Sequence, residues 1–348
     1  MKKKTSVSSF LGPDVPVVPD VPDVPTSDTS LDYDLFVRVL VTGGTGYLGR
    51  AIVRALIARG HDPVVFARRA TNAGLTTRAI DGDVRDRPAL VSAARGCDTL
   101  CHSAALVSIW RRDAREFHGV NVTGLENAIA AAHDAGLSRI VYTSSFLARP
   151  PAGRRDPLRA NPYQHTKAAA DTVARAARDA GRPIIVLYPG VVYGPGVMTE
   201  GNIVGRLFAD HLAGRLPGLI GPEHVWSFAW VDDVAAAHVA AIERAKPGSA
   251  YQLGGDNQPL RRPFEILRDL RGVKPPRRIP YWLAVCAGIA EEARARLTGR
   301  PPLVTRGTVD IFRHDWPVEN AEAARDLGLK VTPVAEGVRT LLETNRST

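Results

Sequence analysis

A tyrosine and a lysine stand four residues apart in this 348-residue sequence, at Tyr163 and Lys167. On a helix, residues at this spacing project from one face, so the phenol and the ammonium can share a site. A neighbouring cation stabilises the phenolate, so we expect it to lower the phenol pKa from its ordinary value of about 10. Such a pair can pass a proton to or from a substrate oxygen.

A glycine-rich segment precedes this pair by about 120 residues. Gly43, Gly46 and Gly49 stand three residues apart, between the apolar run 37–41 and the helically periodic segment 51–59. We predict a strand, a tight turn and a helix, an order in which backbone N–H groups bind a dinucleotide's pyrophosphate. A turn without a ligand would also explain the glycines, but the flanking strand and helix favour the dinucleotide.

The second predicted strand, 62–67, determines the choice between NAD and NADP. It ends without a carboxylate and is followed by Arg68 and Arg69. A carboxylate here would bind the ribose 2′-hydroxyl of NAD, whereas guanidiniums suit the 2′-phosphate of NADP. Two solvated arginines would look the same in so arginine-rich a chain. The sequence favours NADP and leaves NAD open.

Strands and helices continue to alternate beyond this point. We predict further strands at 98–105, 139–145 and 184–188, and an alanine-rich helix from Asn121 to about Gly136. The alternation indicates an α/β fold with a Rossmann-type, doubly wound parallel sheet and a smaller C-terminal substrate lobe.

We expect three regions along the chain. Residues 1–36, which carry a repeated Val-Pro-Asp pattern, should form a disordered tail. Residues 37–190 should form the dinucleotide-binding domain. Residues 191–348 should form mainly the substrate-binding lobe, with segments around 225–255 returning to the first domain.

Seven motifs occur in order along residues 37–345. They are Thr42-Gly43 with Gly46 and Gly49, Asp83-Val84, Asn121-Val122 with Gly124, Thr143-Ser144-Ser145, Tyr163 with Lys167, 189–195 (PGVVYGP) and 231–235 (VDDVA). In this combination the chain resembles an extended short-chain dehydrogenase/reductase of the NAD-dependent epimerase/dehydratase family. Segments 102–110 and 188–190 are most similar to the branch of 3β-hydroxysteroid dehydrogenases, dihydroflavonol reductases and farnesol dehydrogenases.

The resemblance implies a role for each polar residue of the site. Tyr163 would be the general acid and base, and Lys167 would lower its pKa and bind the nicotinamide ribose. Ser145, with Ser144 as the alternative, would hold the substrate oxygen. Asn121 would lie beside these catalytic residues in a structural rather than a chemical role.

The glycine turn and the resemblance together predict the cofactor contacts, with Asp83 and Val84 at the adenine. The predicted contacts are Gly43, Thr45, Gly46, Tyr47, Leu48, Gly49, Arg68, Arg69, Asp83, Val84, Ala104, Ala105, Tyr163, Lys167, Pro189 and Val192. We predict no metal site, because Cys97, Cys101 and His102 lack a fourth ligand nearby. We expect all three cysteines, Cys97, Cys101 and Cys286, to be reduced residues of the core.

Departures from the family pattern narrow the reaction. Phe146 and Leu147 follow the serine where sugar dehydratases carry an Asp-Glu pair, and Tyr188 replaces an arginine common in sugar-nucleotide members. We therefore expect an NAD(P)-dependent oxidoreductase that interconverts an alcohol and its carbonyl on a lipophilic small molecule, isoprenoid, steroid-like or flavonoid-like. An NAD-dependent sugar-nucleotide epimerase is the alternative, and a non-catalytic dinucleotide-sensing protein is a third.

Charge and hydropathy limit the partners. The net charge is +9, but the arginines form no stripe interleaved with aromatic residues, which argues against nucleic acid. The most hydrophobic stretch, 279–290, is shorter than the about 20 residues that span a bilayer. It could be a buried helix, or an apolar wall near substrate or a membrane surface, so peripheral membrane contact stays open. We expect a cytoplasmic protein, and the alanine-rich helices 124–135 and 166–180 could pair in a homodimer or pack within one chain.

Overall fold

The computed structural model describes residues 36–344, and its compact unit begins at Phe36. The predicted disordered tail, residues 1–36, therefore lies outside the described residues except for its last position. The strands within 36–344 are β1 (Arg38–Thr42), β2 (Asp62–Ala67), β3 (Arg78–Asp81), β4 (Thr99–His102), β5 (Arg139–Thr143), β6 (Ile184–Pro189), β7 (Val191–Tyr193), β8 (Leu219–Ile220), β9 (Val225–Trp230), β10 (Ala250–Leu253), β11 (Asp256–Pro259) and β12 (Arg278–Ile279).

The α-helices of the same range alternate with these strands. They are α1 (Tyr47–Ala58), α2 (Arg87–Ala94), α3 (Arg115–His118), α4 (Gly124–Asp134), α5 (Pro162–Asp179), α6 (Ile203–Leu212), α7 (Val231–Arg244), α8 (Arg262–Arg271), α9 (Tyr281–Thr298), α10 (Arg306–Ile311), α11 (Ala321–Leu327) and α12 (Val334–Thr344). A π-helical turn, Gly119–Thr123, joins α3 to α4, and a short 3₁₀ helix, Phe146–Ala148, follows β5.

The main sheet has seven strands in the order β10-β6-β5-β4-β1-β2-β3, and all of its pairings are parallel. Successive residues of β1 face opposite sides of the sheet, as strand geometry requires. Val39 and Val41 pack with α1 and α7, whereas Leu40 packs with α2, α4 and α5. Because both faces are covered, the strands are apolar nearly throughout. The predicted Rossmann-type parallel fold is confirmed.

Helix α5 begins where its capping residues dictate. The Asn161 side chain accepts a hydrogen bond from Gln164 N at 2.9 Å, and Pro162 occupies the first helical position. An asparagine cap followed by proline is a strong start signal, because proline lacks an N–H that this position cannot pair. The start places Tyr163 and Lys167 in the first two turns.

A second, smaller sheet lies beyond the main one. Strand β9 pairs in parallel with β7 and antiparallel with β11, while β8 and β12 form a separate pair. Of the segments around 225–255, α7 and β10 join the main sheet, but β9 belongs to the smaller one. An aromatic cluster fills the core beside β9, and it contains Phe146, Tyr193, Trp226, Phe228, Trp230 and Trp316.

The hydrophobic stretch 279–290 forms most of the first half of α9, and it is largely exposed. Ala284 and Gly288 are its buried members, whereas Trp282 faces outward. The interpretation as a buried helix is therefore wrong. Cys286 is also exposed, contrary to its expected place in a core, while Cys101 is fully buried. No helix within residues 36–344 combines the length and the apolar character needed to cross a bilayer.

Candidate active site

The glycine turn lies where the strand order of the main sheet reverses, between β1 and β4. Gly43 adopts a positive φ of 74°, and a Cβ on it would lie 2.7 Å from the Cα of Ala104. A Cβ on Gly49 would overlap the carbonyl oxygen of Gly43. The turn therefore brings the carboxyl ends of β1 and β4 into backbone contact, which is the point where doubly wound sheets bind ligands.

The start of α1 is open to an anion. Gly46 caps the helix without a side chain, and its first turn holds no acidic residue. The first N–H groups of a helix have no intrahelical partner and carry the positive end of its dipole. The side chain of Tyr47 points away, since its phenol donates to Gly194 O at 3.0 Å. Tyr47 and Leu48 thus offer only their backbone, and the turn fits a pyrophosphate group.

Two predicted cofactor segments follow β2 and β3. Arg68 and Arg69 are exposed, and neither makes a hydrogen bond or an ion pair within the described part of the chain. The carboxylate of Asp83 accepts from Arg85 N at 2.9 Å and from its guanidinium at 2.7 Å, which lowers the Asp83 pKa. Val84 is buried beneath it.

Lys167 is buried beside the carboxyl end of β5. Its Nζ donates to Thr143 O at 3.1 Å and lies 5.4 Å from the centre of the Tyr142 ring. Burial lowers the pKa of Lys167 to about 8. The cause is desolvation, because an apolar surrounding disfavours the charged ammonium.

The phenol of Tyr163 meets Ser145 at the same edge. Burial raises the pKa of Tyr163 to about 12, and a hydrogen bond to Ser145 lowers it only in part. The predicted lowering by Lys167 is not found, because that ammonium is bound to Thr143 O and desolvation dominates at the phenol. Ser145 also accepts from Leu147 N at 3.2 Å, so its side chain is held in place.

Asn121 clamps the loop after β4 to α5. Its Oδ1 accepts from Leu106 N at 2.7 Å, and its Nδ2 donates to Thr166 Oγ1 at 3.0 Å. The residue lies in the π-helical turn before α4 and is buried. All of its described contacts are with the protein's own loop and helix, which agrees with a structural role.

Two pairs of buried polar side chains lie at the carboxyl ends of β1, β4 and β5, one on each face of the sheet, and sequence reasoning missed them. Thr42 Oγ1 shares a hydrogen bond of 2.9 Å with His102 Nδ1, and Thr143 Oγ1 shares one of 2.9 Å with His238 Nε2. Burial and the charge of Lys167 lower the pKa of His102 to about 3. These contacts depend on the register of the strands, which pairs His102 with Thr42 on one side and with Tyr142 on the other, and the sequence alone does not give that register.

A second missed residue is Asp171, four positions after Lys167 on the same face of α5. The Tyr188 phenol donates to Asp171 Oδ1, and Arg175 Nε lies 3.1 Å from its other oxygen. The tyrosine that replaces the sugar-nucleotide arginine is therefore committed to a buried carboxylate. The other predicted cofactor residues lie at this edge too: Ala104 and Ala105 after β4, Pro189 at the end of β6 and Val192 in β7.

A parallel sheet with an open glycine turn at its switch point, and a buried serine and lysine beside a half-buried tyrosine at the same edge, defines a class of dinucleotide-dependent enzyme. The chain belongs to the NAD dependent epimerase/dehydratase family, whose model matches residues 39–254. Among the described residues no cluster of histidine, cysteine or acidic side chains could hold a metal ion.

Three similar proteins illustrate the range of this family. Sterol demethylase protein B of Methylococcus capsulatus is 30% identical, over 84% of this chain and 93% of its own. A 4-hydroxy-2-methyl-3-oxo-4-farnesyl-3,4-dihydroquinoline-1-oxide ketoreductase of Stigmatella aurantiaca is 32% identical, over 84% and 91%. The solved structure of MoeE5 in complex with UDP-glucuronic acid and NAD is 25% identical, covers 89% of this chain and 100% of its own, and has a TM-score of 0.71. The predicted family and class, an NAD(P)-dependent dehydrogenase/reductase of the extended short-chain type, are confirmed.

Proposed function

We propose that this enzyme reduces the carbonyl group of a lipophilic small molecule to an alcohol, with NADPH as hydride donor. One observation carries the proposal. Tyr163 lies at the carboxyl edge of the sheet with its phenol against Ser145, and it packs on the aromatic cluster of the smaller sheet. A protonated phenol beside a serine hydroxyl can polarise a carbonyl oxygen and then give it a proton.

Each residue at the sheet edge has a distinct task in this proposal. Ser145 holds the substrate oxygen by a hydrogen bond, and Tyr163 donates the proton to it. Lys167 binds the ribose hydroxyls of the cofactor. The turn from Gly43 to Gly49 binds the pyrophosphate through backbone N–H groups. The dinucleotide supplies the hydride.

In the direction of reduction Tyr163 acts as the acid, and burial favours the protonated phenol that this role needs. Two similar proteins are also named as reducing enzymes, the farnesyl-quinoline ketoreductase and a putative dihydroflavonol 4-reductase.

A lipophilic substrate is supported by the surroundings of Tyr163. The tyrosine packs against the aromatic cluster of the smaller sheet, which includes Phe146 and Trp226. Phe146 stands in the segment directly after Ser145, where a sugar hydroxyl would need a polar partner. The printed names of similar proteins include a sterol, a farnesyl-substituted quinoline and a ceramide.

The preference for NADP is supported by Arg68 and Arg69. They are exposed after β2 and make no hydrogen bond or ion pair within residues 36–344, while the Arg68 charge acts on Asp83, so both guanidiniums can reach a 2′-phosphate. The solved structure of MoeE5 holds NAD, so NAD stays the alternative cofactor.

The test is a panel of lipophilic ketones and alcohols, with nucleotide sugars alongside, each assayed with both cofactors in wild type and Tyr163→Phe. We expect oxidation of NADPH with an apolar ketone, and its loss in the variant. Inversion of a nucleotide sugar without net change in cofactor absorbance would instead identify an epimerase. Bound cofactor without turnover on any member of the panel would favour a sensing protein.

Two further expectations stay predictions. Helices α4 and α5 pack against each other within the chain, and a surface groove between them is lined by Ile129, Ala130, Val173 and Ala177. A second copy of the chain could pack its own α4 and α5 against this groove. Sedimentation of the purified protein tests the dimer, and fractionation of cells tests the cytoplasmic location.

A further inference from the structure

The outward face of α9 is apolar from Trp282 to Ala293, and Leu297 continues it beside the exposed Arg296. Trp282 is 70% exposed, Ile289 51% and Leu297 88%, the three being spaced seven and eight residues apart. At 3.6 residues per turn, Cys286 and Ala293 lie on the same side of the helix. Apolar side chains therefore face away from the protein over about four turns of the helix.

The side of α9 that faces the protein explains why its large apolar residues are exposed. The buried residues of α9 are the small ones, Ala284, Gly288 and Ala295. A Cβ on Gly288 would lie 2.9 Å from the backbone N of Arg306, so the helix lies close against the start of α10. The inward side of α9 is thus closed by small residues, and its large apolar side chains are left outside.

The acidic and basic side chains of α9 and its flanking residues also occupy different positions. Its two carboxylates face the protein: Glu291 accepts from Arg294 and from Leu303 N, and Glu292 accepts from Arg306. The exposed face of α9 contains no acidic residue. Four exposed arginines, none of them in an ion pair within residues 36–344, stand at its two ends: Arg277, Arg278, Arg296 and Arg300.

We propose that α9 docks on an anionic lipid surface, lying in its plane with Trp282, Ile289 and Leu297 at the boundary between headgroups and acyl chains. A helix that exposes aromatic and aliphatic side chains and has arginines near its ends is suited to this position. The arginines would bind lipid phosphates. Charge decides against a second copy of the chain as the partner, since two molecules of net charge +9 would bring these arginines together.

The docking face lies one helix away from the candidate active site. Gly288 of α9 packs on Thr305 and Arg306 before α10, and Gly307 of α10 packs on Ala160 and Asn161. Asn161 caps the helix that carries Tyr163. Docking would hold the candidate active site near the membrane, in which lipophilic molecules collect. This benefit rests on the proposed function, whereas docking itself does not.

The experiment is sedimentation of the full chain with vesicles of phosphatidylcholine, with and without phosphatidylglycerol. We expect binding to the anionic vesicles, and at least about tenfold weaker partitioning for Ile289→Gln/Leu297→Gln, because each glutamine removes apolar area from the boundary. The matched control is Ile57→Gln/Leu270→Gln, which changes the same residue types at positions 44% and 40% exposed on α1 and α8 and should bind as wild type does. Arg296→Gln/Arg300→Gln should lose about fivefold per charge on anionic vesicles only.

A second measurement does not depend on the folding of those variants. Emission from Trp282 should shift to the blue and be quenched by brominated lipid in wild type, and Trp282→Phe should lose this response. Failure of wild type to bind anionic vesicles, or equal binding by the two glutamine pairs, would overturn the proposal. Self-association that Ile289→Gln/Leu297→Gln abolishes, without vesicle binding, would assign the face to a second copy and also overturn it. No step needs substrate, so the result is independent of the reaction.

Discussion

At the scale of single residues, burial acts on Tyr163 and Lys167 in opposite directions. It raises the pKa of the phenol to about 12 and lowers that of the ammonium to about 8. In both cases the charged form is the one that loses solvation. Tyr163 is consequently protonated at neutral pH, and Lys167 keeps its charge until the pH exceeds about 8. As the pH rises, the ammonium of Lys167 therefore loses its proton before the phenol of Tyr163 does.

This order of the two pKa values predicts a pH profile. For carbonyl reduction, kcat/KM should be level through neutral pH and fall as pH rises through about 8, where Lys167 loses its proton. In Lys167→Arg the guanidinium stays charged, so a slower enzyme should lack this fall. The measurement is kcat/KM against pH for both proteins. A fall that persists in the arginine variant would place its cause elsewhere.

Removal of the phenol hydroxyl tests proton donation directly. We expect Tyr163→Phe to lower kcat by about 10²-fold or more, the range for loss of a positioned acid. Dissociation constants of the cofactor should change little, because the turn from Gly43 to Gly49 is untouched. Steady-state kinetics and cofactor titration measure the two effects separately, and retained turnover would refute the assignment of Tyr163.

Cofactor choice depends on the arginines after β2. Arg68→Ala/Arg69→Ala should raise the dissociation constant of NADP by about tenfold or more, since charge-assisted bonds to phosphate are lost. NAD affinity should hardly change. Arg95→Ala removes another exposed arginine, far along the chain from this loop, and serves as the control. Equal weakening of both cofactors would show that the arginines do not read the 2′-phosphate.

At the scale of elements, the contact between α1 and its preceding strand depends on Gly49. A Cβ here would overlap the Gly43 carbonyl, so we expect Gly49→Ala to destabilise the fold by about 1–3 kcal/mol. The shifted helix start should also bind the dinucleotide more weakly. Gly201→Ala, where a Cβ would make only ordinary contacts, is the control. Thermal unfolding and cofactor titration give the two readings, and an unchanged melting temperature would contradict the tight contact.

The main-sheet elements could be predicted because their signals are local. Runs of β-branched residues bounded by glycine indicate β1, β2, β5 and β6, and helical periodicity indicates α1. The smaller sheet could not be predicted, because β9 pairs with β7 across 37 residues of chain and with β11 on its other side. The exposure of α9 was equally hidden: its apolar residues carry no sign of which side meets the protein.

The candidate site was predictable to the same extent. Residue types and spacing brought out Tyr163, Lys167 and Ser145, since their chemistry needs few neighbours to be recognised. The pKa of Tyr163 could not be predicted, because it depends on how deeply the aromatic cluster buries the phenol and on where Lys167 donates its hydrogen bond. Asp171 and His102 were missed because their partners lie on other elements.

At the scale of the whole molecule, the compact unit begins at Phe36 and contains every residue assigned to the site. Deletion of residues 1–35 should therefore leave turnover and melting temperature unchanged. Side-by-side kinetics and thermal unfolding of the full and shortened chains provide the measurement. A lower rate in the shortened chain would show that the first 35 residues take part in function.

The partner of α1 in the main fold is α7, and the two are far apart in the chain. Arg54 Nη2 lies 3.2 Å from Asp232 across 178 residues, and Arg59 Nε lies 3.0 Å from Glu243 across 184. Between these ion pairs, Ile52 and Leu56 pack in one cluster with Val234 and Ala241. At a synthesis rate of about 5–20 residues per second, the apolar side of α1 is complete roughly 10–35 s before the α7 residues that bury it are made. We therefore expect the nascent chain to need the protection that chaperones give until α7 has left the ribosome.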